Sequence, residues 1–101
     1  MPVEHIVLFR MKEGATEEQG QAMCRALNTL KRDIPGVLEV LAGKNETPRT
    51  GGGYEYVLVV RLRDRAALAA YGPHPAHQRI IREVIEPISS ERIAIDYDVE
   101  E

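Results

Sequence analysis

The sequence predicts an α+β domain of ferredoxin-like βαββαβ topology, whose four-stranded antiparallel sheet pairs with a second copy to form a dimeric α/β barrel. Short runs rich in β-branched residues alternate with amphipathic helical patterns in the order β-α-β-β-α-β, which is the split βαβ arrangement. The strand-like runs also carry apolar side chains in both of their alternating sets, so both faces of the sheet need cover.

The length of the chain supports both parts of this prediction. Its 101 residues have the usual size of a single domain, and no repeat or linker divides residues 1–101. A domain of this size buries only roughly 60–65% of the surface that its unfolded chain exposes. Covering one more sheet face by dimerisation would therefore add stability.

Charge and cysteine content argue against several classes of protein. The net charge is −3 and no basic run occurs, so we expect neither a nucleic acid nor a membrane as a partner. The single cysteine, Cys24, permits no internal disulfide, which fits a reducing compartment. No signal-peptide pattern precedes the first strand-like run, so a cytoplasmic location is expected.

The first strand is predicted over residues 3–11. Its two alternating sets are His5, Val7, Phe9 and Met11 on one side, and Glu4, Ile6, Leu8 and Arg10 on the other. One layer of helices covers only one of these faces. We expect the face with Ile6 and Leu8, extended by Val57 and Val59, to pack against a second copy. A different protein partner would satisfy the same physics.

Capping residues, periodicity and helix breakers predict the next elements. Thr16 and Gln19 form a capping box at the start of a helix that Pro35 and Gly36 end. Strands are predicted over residues 37–43 and 54–62. The loop between them, residues 44–53, contains three consecutive glycines; no Lys-Ser/Thr follows them, which indicates a flexible connection rather than a phosphate loop.

The second half of the chain is predicted to contain two short helices and a last strand. Asp64 caps a helix that ends at Tyr71, before a Gly-Pro pair. Pro75 then stands at the first position of another helix, which continues to about residue 85 or 88. The last strand is predicted over residues 92–97.

His77 is the most informative of the three histidines. It falls in the first turn of the helix that starts at Pro75, and Ile81 follows on the same apolar face. The helix N-terminus and burial both disfavour an imidazolium ion, so we expect a neutral ring that can accept a proton. His5 faces the same way if its strand set faces the helices. Both imidazoles would then line one cavity.

Less specific interpretations apply to the same residues. A histidine on an apolar face is more often a hydrogen-bonded core residue than a catalyst, and His74 fits a helix N-cap. Together with His5 and His77 it could supply three imidazole ligands to a metal ion. No cysteine or carboxylate lies close by in sequence, so neither a metal nor a cofactor is predicted. Cys24 is expected to be inert.

Short motifs occur in order along almost the whole chain. They are His5-Ile6-Val7-Leu8-Phe9, Ile34-Pro35-Gly36-Val37, Gly43-Lys44-Asn45, Gly53-Tyr54, Tyr71 with His74-Pro75-Ala76-His77, and Asp96-Tyr97. Together they resemble the stress-responsive A/B barrel (Dabb) family. The resemblance implies a ferredoxin-like fold, a homodimeric barrel, and a family in which most members have no established reaction.

The resemblance also implies a set of site residues. Plant polyketide cyclases of the olivetolic acid type belong to this family and need no cofactor; their proton-abstracting histidine and its partner tyrosine match His77 and Tyr71. Their pocket positions correspond to His5, Val7, Phe9, Leu27, Tyr56 and Leu58. Leu27 replaces a tyrosine and Tyr56 replaces a histidine, so the resemblance implies a pocket of different shape and polarity.

Two functions follow from these observations. The first is a cofactor-independent acid–base reaction, cyclase-like or lyase-like, on a small and largely apolar carbonyl compound. His77 would remove the proton while Tyr71 hydrogen-bonds the base or the developing oxyanion. The second is a non-enzymatic stress-response or ligand-binding dimer, in which His5 and His77 anchor a small molecule.

Overall fold

A computed structural model describes residues 1–50 and 53–100. Its elements, in chain order, are strand β1 (Val3–Met11), helices α1 (Glu17–Asn28) and α2 (Leu30–Asp33), strand β2 (Val37–Lys44), a 3-10 turn (Pro48–Thr50), strand β3 (Tyr56–Leu62), helices α3 (Arg65–Tyr71) and α4 (Pro75–Ile80), a π-helical turn (Ile81–Ile85) and strand β4 (Ser89–Asp98). The strands form one sheet in the order β2-β3-β1-β4. The predicted ferredoxin-like fold is confirmed.

The register of the sheet separates its two faces. β1 pairs antiparallel with both β3 and β4, so that Val7 lies opposite Leu58 on one side and Ala94 on the other. This face carries the helices, and the core lies between them. The largest fully buried side chains there are Tyr71, Phe9, Met23, Leu27, Leu30, Ile34, Leu62, Val3 and Val60.

The predicted helix starts are confirmed by their hydrogen bonds. Thr16 and Gln19 exchange the two bonds of a capping box at the start of α1, with N···O distances of 2.9 and 3.1 Å. The Asp64 carboxylate accepts a 2.8 Å hydrogen bond from the Ala67 amide and caps α3. Each cap satisfies amide groups that have no partner within their own helix.

The first helix is not continuous, contrary to the prediction. The Thr29 hydroxyl donates a 2.6 Å hydrogen bond to the carbonyl of Ala26, and the chain restarts as α2 at Leu30. Such side chain to backbone bonds compete with the helical pattern. Gly36 then adopts a φ of +89°, a left-handed conformation that only glycine reaches at low cost, and turns the chain into β2.

The predicted helix after Pro75 changes its hydrogen-bonding pattern midway. α4 is regular as far as Ile80, and then the Glu86 amide donates to the carbonyl of Ile81, five residues earlier, at 2.8 Å. The resulting π-helical turn ends at Ile85. Turns of this kind inside helices occur frequently at functional sites.

Strand boundaries differ from the prediction by a few residues. β3 begins at Tyr56 rather than at residue 54, and β4 extends from Ser89 to Asp98 because β1 offers it pairing partners over almost its whole length. The predicted glycine connection includes Gly51 and Gly52, which lie outside the described residues.

The face of the sheet opposite the helices is apolar and open. Ile6 and Leu8 of β1 are half-buried by their neighbours, whereas Leu41, Ile93 and Ile95 are 57%, 43% and 57% exposed. The helices therefore cover only one face, as the sequence indicated. Across the described part of the chain, no helix is both long and apolar enough to cross a membrane.

Candidate functional site

A cavity of about 190 Å³ lies between the helix-facing side of the sheet and the segment formed by α4 and the π-helical turn. Six of the residues predicted for the site line it, namely His5, Val7, Phe9, Leu27, Leu58 and His77. β1 supplies three of them because alternate residues of a strand point to the same face. The predicted convergence of His5 and His77 is therefore present in the structure.

Four further residues line the same cavity and were not predicted. Ile81 and Ile85 come from the π-helical turn, and Arg92 and Ala94 come from β4. Because Arg92 and Ala94 are exposed on the edge strand, the mouth of the cavity lies along this edge. Ile81 and Ile85 could have been found from their spacing of four and eight residues from His77, which places them on nearly the same side of a helix. The β4 residues could be found only from the register between β4 and β1.

The orientation of His77 is determined by a backbone carbonyl. Its Nδ1 lies 2.9 Å from the carbonyl oxygen of Gly72. A carbonyl only accepts, so Nδ1 carries the proton and Nε2 keeps its lone pair. Burial lowers the pKa of His77, with smaller contributions from His5 and Arg92, and outweighs the opposing effect of the Gly72 hydrogen bond. The ring is therefore a neutral base at neutral pH.

His5 is oriented by a carboxylate. Its Nδ1 lies 2.5 Å from Oδ1 of Asp96, the residue directly opposite it on β4. A carboxylate only accepts, so Nδ1 is the donor in this contact and the ring orientation is fixed. Asp96 was part of the motif that carried the family resemblance, but its contact with His5 required the β1–β4 register.

Tyr71 packs between the two histidines without a hydrogen bond to either. Its ring centroid lies 4.4 Å from that of His77 and 5.5 Å from that of His5. The side chain is 2% exposed, and its hydroxyl has no hydrogen-bond partner within the described chain. Burial raises the pKa of Tyr71 far above its usual value, so the phenol stays protonated. Tyr71 does not line the cavity, which corrects its predicted place beside the ligand. Of the two predicted partners of its hydroxyl, the base and the developing oxyanion, the base is not bonded to it in the described chain.

Tyr56 does not join this cavity, which corrects its predicted place in the pocket. Its hydroxyl donates a 3.3 Å hydrogen bond to the carbonyl of Glu17, at the start of α1. Tyr56 shares a face with Leu58, but its long side chain is directed along the sheet toward the helix N-terminus. Alternation predicts the face of a residue and not the direction of its side chain within that face.

The histidines are not arranged as a metal site. His74 is the N-cap of α4, where its Nδ1 accepts a 3.1 Å hydrogen bond from the Ala76 amide. Among residues 1–50 and 53–100, no group of three or more histidine, cysteine, aspartate or glutamate residues could hold a metal ion. Burial raises the pKa of Cys24, so its thiol stays protonated.

Comparison with known proteins gives the family. The model of the stress responsive A/B barrel domain matches residues 3–99. The chain belongs to this family. A protein from Arabidopsis thaliana, described as containing a stress-response A/B barrel domain, is 30% identical over 95 residues, which cover 94% of this Dabb chain. The chain spans only 36% of the length of that relative.

Two further similarities are to an enzyme, by sequence, and to a dimeric protein, by structure. Olivetolic acid cyclase from Cannabis sativa is 28% identical over 78 residues, covering 76% of this chain and 77% of the cyclase. A solved structure from Thermobifida fusca, described as a dimeric ferredoxin-like protein of unknown function, superposes with a TM-score of 0.84 at 27% identity. That match covers 98% of this chain and 92% of the other.

Proposed function

We propose that this Dabb chain catalyses a cofactor-independent acid–base reaction on a small, largely apolar carbonyl compound bound in the cavity, in the manner of a cyclase or lyase. One observation carries the proposal: a neutral imidazole, with Nδ1–H bound to the Gly72 carbonyl and with Nε2 unbonded in the described chain, lines a mostly apolar cavity. This is the arrangement that a general base needs.

The proposed step is removal of a proton from the carbon next to the carbonyl group. His77 Nε2 takes the proton, and the electron pair of the broken C–H bond moves to form an enolate, whose oxygen becomes negative. The imidazolium then returns the proton to the product or to the leaving group. The apolar walls Val7, Phe9 and Leu58 would exclude water and strengthen the electrostatic interactions.

Two neighbouring groups support this assignment. The Asp96 carboxylate holds His5 in one orientation beside the same cavity, where it offers a second polar contact to a ligand. The Tyr71 hydroxyl is buried, protonated and without a partner in the described chain. A buried hydroxyl without a partner costs about 1–3 kcal/mol. Tyr71 lies behind the cavity wall, so a ligand oxygen would accept from it, and relieve this cost, only if the ring moves toward the cavity.

The first test is deuterium exchange at the carbon next to a carbonyl group. Acetophenone and phenylacetone are incubated with the protein in D₂O, and loss of the α-proton signals is followed by NMR. A positioned base is worth about 10²–10⁴ in rate, so His77→Ala should reduce the catalysed exchange by about that factor.

A matched control uses the other histidine of the same helix. His74→Asn replaces one N-cap side chain with another and leaves His77 unchanged, so its exchange rate should equal that of the wild type. Equal rates in wild type and His77→Ala would contradict the proposed chemistry. Binding without any exchange would favour the ligand-binding function, in which His77 and His5 only anchor a small molecule.

We also propose that the chain assembles as a homodimer through the open face of its sheet. That face presents two cross-strand rows of apolar residues, Leu41-Val59-Ile6-Ile95 and Val57-Leu8-Ile93, where the strands pair in register. Exposed apolar surface of this kind is costly in a monomer. The Thermobifida fusca neighbour, which has the same fold, is described as dimeric.

A further inference from the structure

We infer that the cavity takes a carbonyl compound that also carries a carboxylate group, and that Arg92 is the residue which binds this carboxylate at the cavity mouth. The inference rests on the proposed function, because it names the substrate class for the same cavity. It assigns a specificity role to a residue that the sequence did not single out.

The position of Arg92 is unusual for a charged residue. It pairs with Phe9 in the β1–β4 register, on the face of the sheet that carries the helices, and it lines the cavity together with both site histidines. β4 is the edge strand and Arg92 is exposed, so we place its guanidinium at the mouth and its stem along the wall.

The guanidinium of Arg92 also lacks a carboxylate partner in the described chain. Six other arginines have a carboxylate within 4 Å, namely Arg10, Arg32, Arg61, Arg63, Arg65 and Arg82. Within residues 1–50 and 53–100, Arg92 forms no ion pair, although Glu86 and Glu91 border a surface cleft beside it. Glu91 instead pairs with Arg10 at 3.2 Å.

The charge of the cavity contrasts with that of the whole chain. The chain has a net charge of −3, yet Arg92 is the only arginine, lysine, aspartate or glutamate among the described residues that line the cavity. A guanidinium keeps its charge at all physiological pH values and offers paired N–H donors that match the two oxygens of a carboxylate. The same charge acts on His77, whose pKa it helps to lower.

The dimensions of the cavity limit the rest of the ligand. An apolar cavity of roughly 150 Å³ can hold a benzene molecule, and this one measures about 190 Å³. A single ring or a short branched chain would occupy the apolar part near Ile81 and Ile85. The carboxylate would remain at Arg92 and the carbonyl group would lie near His77.

The test compares benzoate with benzamide, which have nearly the same shape and differ in charge. Binding is measured by isothermal titration calorimetry and by the shifts of the His77 ring protons, at 20 mM and at 200 mM salt. For an exposed arginine we expect benzoate to bind about fivefold to tenfold tighter than benzamide at low salt. The preference should shrink at high salt because the charges are screened.

Variants of Arg92 test whether this residue causes the preference for benzoate over benzamide. Arg92→Gln should bring the benzoate to benzamide affinity ratio to about one without changing the affinity for benzamide, and Arg92→Lys should keep part of the preference. Arg25→Gln is the matched control, because Arg25 is exposed on α1 outside the cavity and its loss changes the net charge equally. Arg25→Gln should retain the full preference.

Three outcomes would overturn the inference: equal affinities in the wild type, no benzoate binding at millimolar concentration, or a preference that survives in Arg92→Gln. These outcomes are distinct from failure of the proposed function. If the preference for benzoate depends on Arg92 but the rate of deuterium exchange is the same in His77→Ala as in the wild type, the binding role of Arg92 is supported and the proposed chemistry is rejected. If exchange depends on His77 but benzoate and benzamide bind equally well, the proposed chemistry is supported and the role of Arg92 is rejected.

Discussion

The two site histidines are held by different kinds of acceptor. An uncharged carbonyl, that of Gly72, fixes the tautomer of His77, and an aspartate carboxylate fixes the orientation of His5. A carbonyl orients the ring of His77 without placing a negative charge beside it. Burial is the largest influence on His77 and lowers its pKa below the usual value. His77 is therefore held as a neutral base by the fold.

The lowered pKa of His77 predicts a pH dependence of stability. In the unfolded chain His77 titrates near ~6.5, so as the pH falls below that value the unfolded state binds more protons than the folded state. The free energy of unfolding should therefore decrease as the pH falls from 7 toward the pKa of His77 in the folded protein. Urea unfolding at pH 7.5, 6.5 and 5.5 measures this, with His77→Gln as the comparison.

In His77→Gln the decrease over this window should be smaller. The carboxyl groups of Asp33, Asp64 and Asp98, whose pKa values are lowered by their arginine or backbone partners, lose their contributions only below about pH 4. They therefore do not interfere. An unchanged pH dependence in His77→Gln would show that the imidazole is not held neutral by the fold.

The buried hydroxyl of Tyr71 predicts that its removal lowers the exchange rate without lowering the stability of the protein. Tyr71→Phe removes a polar group that has no partner in the described chain, so the melting temperature should stay equal or rise. If the hydroxyl meets the developing oxyanion, the exchange rate should fall at least about tenfold. Thermal unfolding and the deuterium-exchange assay on the same variant provide both values.

Tyr56→Phe serves as the control for this variant. Its hydroxyl donates to the Glu17 carbonyl outside the cavity, so its loss should cost about 1 kcal/mol of stability and leave exchange unchanged. A Tyr71→Phe variant that loses stability and keeps full activity would assign the hydroxyl a purely structural role.

At the scale of elements, α1 packs on β3 through a close approach at Gly20. A Cβ added there would lie 2.1 Å from the ring of Tyr56, which is itself 4% exposed. Gly20→Ala should therefore destabilise the protein by about 1–3 kcal/mol despite the better helix propensity of alanine. Gly43→Ala is the control, because no atom of the described chain lies within 4 Å of its added Cβ. Gly43 lies opposite Val57 on the open face, so both variants are compared in the Ile95→Glu background, where that face should remain uncovered.

Chemical denaturation of the two variants measures this effect. Gly43→Ala should remain within about 0.5 kcal/mol of the Ile95→Glu protein, as surface substitutions usually do. A Gly20→Ala variant as stable as the Ile95→Glu protein would show that Tyr56 moves aside easily and that the contact between α1 and β3 is loose.

The elements differ in how much of them the sequence could predict. The caps at Thr16 and Asp64 depend on neighbouring residues, and local pattern found both. The break at Thr29 depends on which of two competing hydrogen bonds forms, and no residue pattern marks the start of the π-helical turn at Ile81. Propensity and periodicity therefore predict neither feature.

The same distinction applies to the site. Alternation along β1 and helical spacing from Pro75 placed His5 and His77 on facing surfaces, and the structure brings them to one cavity. Arg92 could not be found in this way, because its place opposite Phe9 depends on the register between two strands about 80 residues apart in sequence. Long-range register is set by the whole core rather than by local sequence.

At the scale of the whole molecule, charged pairs flank the apolar rows of the open sheet face, with Arg10 and Glu91 at one end and the more buried Glu4 and Arg61 at the other. Glu4 and Arg61 are cross-strand neighbours on that face, with Arg61 Nη2 2.8 Å from Glu4 Oε1. Glu4 is 9% exposed, and its other carboxylate oxygen has no partner in the described chain. Buried polar atoms of this kind normally find a donor, and a second copy packed on the face would be able to supply one.

The proposed dimer predicts that a charge on the open face prevents assembly. Ile95 is 57% exposed and lies on the edge strand β4, directly opposite Ile6 of β1, in one of the two apolar rows of that face. Ile95→Glu would place a carboxylate in the apolar interface, where burial without a partner costs several kcal/mol. Light scattering after size-exclusion chromatography should give the mass of a dimer for the wild type and of a monomer for Ile95→Glu.

Ala66→Glu is the matched control, because it adds the same charge on the exposed side of α3 and should remain dimeric. A dimer in Ile95→Glu, or a monomeric wild type, would contradict assembly through this face. Since Ile95 points away from the helices, a monomeric but folded variant should also retain the Arg92-dependent preference for benzoate. That result would show that one chain builds the binding site alone and that the second copy covers only the opposite face.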